Sequence, residues 1–509
     1  MNAAYGLGAV LLVTVATLAI GTWGLRFSRT TSDFFVASRS VRPGLNAWAI
    51  SGEYLSGASF LGVAGLVLAF GGEMLWYPVG WTAGYLVLLV LVAAPLRRSG
   101  AYTLPDFAEA RLDSRVVRTL SSVLVVAIGW LYLMPQFRGA GAALESATGL
   151  PPWAGAVIVA AVVLANVLAG GMRSITFVQA FQYWLKLTAL LVPLMFLLVI
   201  WLHDGGTSPA SASVVVDGVS GLDWSNPIDV GGDHPLYSTY SLMLATFLGT
   251  MGLPHVVVRY YTNPDGRAAR QTTFVVLVLL GVFYVMPPVY GALGRLYAPD
   301  LVASGGTDSV VLELPQRMVG GLGGDLLTAL LTGGAFAAFL ATSSGLTVAV
   351  AGVVSQDVFS RRLEGVTAFR VAATVGVAVP LLFALVARDV SVATVVGLAF
   401  AMAAATFCPL LVLGIWWRGL TAAGAFCGLV VGGSLTGFAV LDRLLVTRDH
   451  GWFAALVAQP AAWAVPASVL TMVVVSRLTK SSRPAHVSRF MVRLHTPEAV
   501  ALNRNLENG

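Results

Sequence analysis

The chain has 509 residues, 57% of them hydrophobic and only 11% charged, with a formal net charge of +6 and a mean hydropathy of +0.81. So low a charged fraction, against roughly 25% in soluble domains, excludes a water-soluble globular enzyme and indicates an integral membrane protein. The basic residues are scattered over short connections and the tail, which argues against a nucleic-acid partner, and Cys408 and Cys427 lie in apolar stretches without any CxxC or His/Cys grouping that would hold zinc, haem or a disulfide framework.

Apolar stretches of 18 or more residues recur along the chain, where a membrane barrel would show alternating segments of about ten. They predict an all-α polytopic protein of about thirteen spans: 3–25, 45–70, 75–96, 117–146, 152–170, 176–202, 238–261, 271–296, 324–356, 366–387, 390–416, 420–441 and 452–476. Residues 3–25 lack the basic start and small-residue cleavage pattern of a signal peptide, so they read as the first span. Residues 1–478 form the transmembrane domain, and 479–509 read as a mobile cytoplasmic tail.

If alternate connections face the cytoplasm, beginning with 26–44, they and the tail hold 23 of the 30 Lys and Arg. The opposite connections hold Arg295, Arg317, Arg388, Arg443 and Arg448, while Arg138 and Lys186 fall within spans. The positive-inside rule then gives an extracytoplasmic N-terminus and a cytoplasmic C-terminus in the cell membrane. The stretch 203–237 carries Asp204, Asp217, Asp223, Asp229 and Asp233 without Lys or Arg, as an external loop would.

Two spans contain helix-breaking residues. The second has Gly52, Ser56, Gly57 and Ser59 around the acidic Glu53; the seventh has GTMGLP at 249–254. Backbone at membrane depth loses its hydrogen bonds only where protein or a water-filled cavity replaces them, so the breaks locate a cavity. Two of them, five spans apart, predict an inverted repeat with its site at the midplane, the halves lying at about 45–202 and 238–416. The plainer alternative is that the glycines serve close helix packing.

Five stretches, TSDFFVASRS (31–40), ISGEYLSGASFLG (50–62), GGMRSITFVQAFQYWLK (170–186), GLPHVVVRYYT (252–262) and VVSQDVF (353–359), resemble the sodium:solute symporter family, and most closely its cation/acetate or monocarboxylate permease branch. The resemblance runs from about 30 to 420. It implies a five-plus-five inverted-repeat fold and secondary active uptake of a small carboxylate such as acetate, propionate or pyruvate, without a cofactor. The candidate substrate-binding residues are Glu53, Tyr54, Gly57, Gln136, Arg138 and Thr250. The resemblance places a coupling sodium near Gly52, Leu55, Ala338, Ala341, Thr342 and Ser343.

Ionisable residues within spans cost about 2.5–3.5 kcal/mol on insertion scales and are candidates for function. Glu53 is suited to carrying a proton or balancing a sodium ion, or it caps the broken helix. The branch has an acid there too, as aspartate. The Arg138 guanidinium is suited to a two-pronged hold on a carboxylate; the resembled permeases are apolar at this place, and snorkelling or pairing with Glu145 are alternatives. Lys186 closes the FVQAFQYWLK motif and resembles a lysine in the family pattern, or it is a structural cation; Gln179 and Gln182 are its polar neighbours. Arg259 reads as an interfacial anchor and His255 as a proton relay or a hydrogen-bonded core histidine.

Sodium-coupled relatives carry a serine where this chain has Ala341, which leaves Thr342, with Ser343 or Ser344 as substitutes, and keeps the proton open as the coupling ion. Other readings are a neutral solute in the same fold, or a transporter-like sensor. No nucleophile, base and orienting group come together from the spans to suggest an enzyme.

Overall fold

The computed structural model describes residues 3–24, 26, 37–212, 224–228, 234–359, 363, 365–386, 392–446, 450–498 and 500. The start of the 31–40 motif, most of the acidic loop, and Arg29, Arg361, Arg362, Arg388, Arg448 and Arg504 lie outside them.

Among the described residues, eleven helical segments are long and apolar enough to cross a membrane. Two of these each supply two crossings. Pro152–His203 has 52 residues, far more than the roughly 30 Å hydrocarbon layer needs at about 1.5 Å per residue, and it folds back on itself at Gly171. There φ is +55° and ψ −150°, a backbone conformation that side chains oppose and glycine accepts. Ala58–Arg98 turns at Gly71–Leu75. The thirteen expected spans therefore all have counterparts, with boundaries shifted by a few residues.

Both expected breaks are present. The second span runs as Pro43–Tyr54, leaves helical geometry at Leu55 (φ −73°, ψ 85°), and resumes through a wide π-helical turn at Ala58–Gly62 into Val63–Phe70. The seventh runs as Pro235–Gly252, breaks at Leu253 (φ −70°, ψ 121°), and continues as Pro254–Val258 and Arg259–Thr262. Pro254 carries no N–H, so this break has one fewer donor to satisfy.

Around the two broken spans pack the long helices Arg115–Thr148, Pro152–His203, Gly321–Val354 and Val392–Trp416. The window of the ninth span that crosses is buried throughout, which makes it the axis of the bundle. Small residues allow the approach. A Cβ at Gly249 or Gly252 would strike the carbonyls of Phe400 and Ala403, and one at Gly52 the carbonyl of Gln179.

The cationic connections gather at one end of the bundle. Arg118 joins Asp106, Glu109 and Asp357; Arg39 donates to the Gly100 carbonyl, and Arg97 to those of Asn263 and Pro264. The tail departs from the expected mobile extension. Val487–His495 is a helix that buries Val487, Phe490, Met491 and Leu494, one face at helical spacing. It is tied down by Arg98–Glu498 (3.2 Å) and by Glu498 accepting from the Gly266 amide (2.9 Å).

Candidate functional site

At the first break each freed backbone group needs a partner, because the membrane interior offers no water. Lys186 Nζ donates to the Gly52 carbonyl and, at 2.6 Å, to that of Leu55. The Thr342 hydroxyl donates to the Glu53 carbonyl at 2.6 Å, and the Gly57 N–H donates to Gln136 Oε1 at 3.1 Å. Side chains of the fourth, sixth and ninth spans thus complete an interrupted helix of the second.

The Glu53 side chain joins the two breaks. Its Oε2 accepts from Arg259 Nε at 2.6 Å, with the side chains 2% and 1% exposed. Arg259 also donates to Thr176 Oγ1 at 3.0 Å and to Gln179 Oε1, and Gln179 Nε2 donates to the Ala341 carbonyl at 2.9 Å. Arg259 is therefore not the expected interfacial anchor: a matching carboxylate and two polar side chains hold its charge inside the bundle. Gly345 makes room for this pair, since a Cβ there would overlap the Glu53 carboxylate.

A second group surrounds Tyr54 and Gly57. The Tyr54 and Thr250 hydroxyls share a hydrogen bond of 2.9 Å across the breaks. Tyr85 stacks edge-on to Tyr54 at 4.8 Å, while Trp81 and Tyr132 lie 5.6 and 6.0 Å from Phe400. His255 packs edge-on to Tyr132 at 5.3 Å, and both its ring nitrogens lack a hydrogen-bond partner among the described residues. The same holds for Trp81 Nε1, Tyr85 OH and Gln136 Nε2. Buried polar atoms are nearly always paired, so this concentration of orphans marks a place for water or a ligand.

Beside Gly57 lies a cavity of about 70 Å³, lined by Leu61, Gly139, Ser146, Asp308 and Phe339 among others, which runs toward the end of the bundle away from the arginines. The Phe339 ring fits there because neither Gly57 nor Gly139 carries a Cβ.

The structure thus brings together Tyr54, Gly57, Gln136 and Thr250. Glu53 is committed to Arg259 instead. Arg138 is half-buried and, two residues past Gln136, stands about 200° round the helix from it. Of the oxygens expected around sodium, those of Gly52, Leu55, Ala341 and Thr342 are engaged with protein groups. Ser343 Oγ is buried without a partner among the described residues, and Ala338 is buried with no side-chain oxygen to offer. Gln182 turns aside to Thr17. The aromatic wall was missed, although Tyr77, Trp81 and Tyr85 recur every four residues on one helix face.

Two interrupted helices, joined by the Glu53–Arg259 pair and the Tyr54–Thr250 hydrogen bond and flanked by buried polar groups unpartnered among the described residues, define a secondary transporter of the five-plus-five inverted-repeat class. Three solved structures share the fold. They are a Na+-coupled sialic acid symporter in a substrate-bound outward-open state (TM-score 0.73, 14% identity, 93% of this chain and 97% of that one), Mhp1, a nucleobase-cation-symport-1 family transporter in a closed conformation with bromovinylhydantoin bound (0.58, 15%, 90% and 98%), and MhsT in complex with L-phenylalanine (0.50, 14%, 84% and 97%).

Residues 34–432 match the sodium:solute symporter family, and the chain belongs to it. It is 32% identical over 433 residues, 83% of either chain, to the uncharacterized symporter YwcA of Bacillus subtilis (strain 168). The protein is accordingly a cation-coupled solute symporter of the membrane and not an enzyme.

Proposed function

We propose that the protein uses a cation gradient, of sodium or protons, to take up a short-chain monocarboxylate such as acetate, propionate or pyruvate across the cell membrane. The core repeats are 45–202 and 238–416, and the arginine-rich end is cytoplasmic, with the N-terminus outside and the tail inside.

One observation carries the choice of an anion. Beside the breaks lie two buried cations, Lys186 and Arg259, against one buried carboxylate, Glu53, with Asp308 half-buried at the cavity beyond Gly57. Among the described residues Lys186 has only carbonyls and no carboxylate within ion-pairing distance. An uncompensated buried charge is costly, and a carboxylate substrate offsets it. The orphaned donors agree: Trp81 Nε1 and Gln136 Nε2 donate and never accept, as the oxygens of an anion require. The surrounding rings suit a short apolar chain.

The test is uptake of radiolabelled acetate and pyruvate into proteoliposomes, with sodium and proton gradients imposed separately. Accumulation driven by one gradient supports the reading. No accumulation under either, or uptake competed by proline or sugars and not by carboxylates, rejects it.

A further inference from the structure

The sodium ligands that the family resemblance implies do not fit a sodium ion in this chain, because a protein cation already stands among them. Lys186 Nζ holds two of the expected oxygens, the carbonyls of Gly52 and Leu55. Its side chain is fully buried at the break. Two of the remaining oxygens are engaged by protein groups, while Ser343 Oγ has no partner among the described residues. The Ala341 carbonyl accepts from Gln179, and the Thr342 hydroxyl donates to the Glu53 carbonyl.

Charge points the same way. Arg259 already pairs with Glu53, so a metal ion beside Lys186 would be a third positive charge against one negative. The departure at position 341 has the same explanation. A metal ion needs a shell of oxygens on all sides, whereas an ammonium is satisfied by three acceptors, and a hydroxyl at 341 is not required.

We propose that Lys186 is a tethered replacement for the sodium ion: its ammonium holds the broken second span in the shape an ion would otherwise enforce, and the transport cycle neither binds nor moves sodium. This rests on the symport reading above and narrows its coupling ion.

The test does not depend on knowing the solute. The purified full-length protein is unfolded thermally in sodium chloride and in choline chloride at equal ionic strength, and its binding of sodium-22 is measured in parallel. The wild type shows the same Tm in both salts and no saturable sodium binding. Lys186→Ala, and Lys186→Ala combined with Ala341→Ser to restore a hydroxyl ligand, gain a saturable sodium site and a Tm that rises with sodium and not with choline.

A saturable sodium-dependent rise in the wild-type Tm overturns the proposal without recourse to any variant. So does a double variant that is monodisperse by size exclusion and still takes up no sodium. Neither readout involves the carried acid, so a wrong substrate assignment leaves both unchanged, and a sodium response would leave the monocarboxylate reading standing.

Discussion

Glu53 and Arg259, 206 positions apart in the chain, form a 2.6 Å ion pair that fastens the two broken spans to each other at full burial. Removing one member of such a pair strands the other's charge and typically loses about 3–5 kcal/mol. Glu53→Gln and Arg259→Gln should each lower Tm sharply in a fixed detergent. The double variant should lose much less than the two losses added. Additive losses would mean that the residues do not act as a unit.

Gly345 faces the Glu53 carboxylate so closely that a methyl group would occupy the same space. Gly345→Ala is therefore expected to destabilise by about 1–3 kcal/mol, the usual range for overpacking, and to do so through the ion pair. In the Glu53→Ala background the carboxylate is gone and the same substitution should be nearly neutral. A Tm cycle over the four proteins checks this.

How much of this was legible in the sequence depends on the range of the physics involved. A glycine-rich or Gly-Leu-Pro interruption in an apolar run is a local signal, and both breaks fall where Gly52–Gly57 and Gly249–Pro254 indicated. The partners of the break are set by how the two halves dock, which no local pattern encodes. Arg259, near the end of a span, reads like an interfacial anchor until Glu53 is seen beside it. Lys186 reads like any span cation until its amine is found on the Gly52 and Leu55 carbonyls. The tail helix had its signal in Val487, Phe490, Met491 and Leu494, but nine residues give a pattern too short to separate from chance.

Docking of that helix should depend on pH. Burial alone would raise the Glu498 carboxyl, but the Gly266 amide, its own backbone N–H and the Arg98 guanidinium outweigh this and hold it below the usual carboxylate range. A carboxyl lowered in the docked state contributes above its undocked value, near 4.3, and loses that contribution as pH falls through the lowered one. Amide protection in 487–498, taken relative to the intrinsic exchange rate at each pH, should be high at neutral pH and fall in acid. Glu498→Gln should exchange faster at neutral pH and lose the acid step; an unchanged profile would place the tether elsewhere.

The Gln136 and Arg138 side chains give opposite expectations for uptake. Gln136 closes the break through the Gly57 N–H and keeps a donor free toward the chamber, whereas Arg138 projects from the far side of the same helix. A hydrogen bond to a charged group contributes about 1.5–3 kcal/mol, which is roughly tenfold or more in affinity. Gln136→Leu should thus raise the KM for the acid by at least about tenfold, and Trp81→Phe, which removes only an N–H donor, should raise it too. Arg138→Gln should leave KM within about twofold, a difference of under half a kcal/mol. Initial rates of acid uptake in proteoliposomes, matched for inserted protein, measure all three. A large KM effect at Arg138 with none at Gln136 would move the substrate from the aromatic chamber to the opposite face of the fourth span.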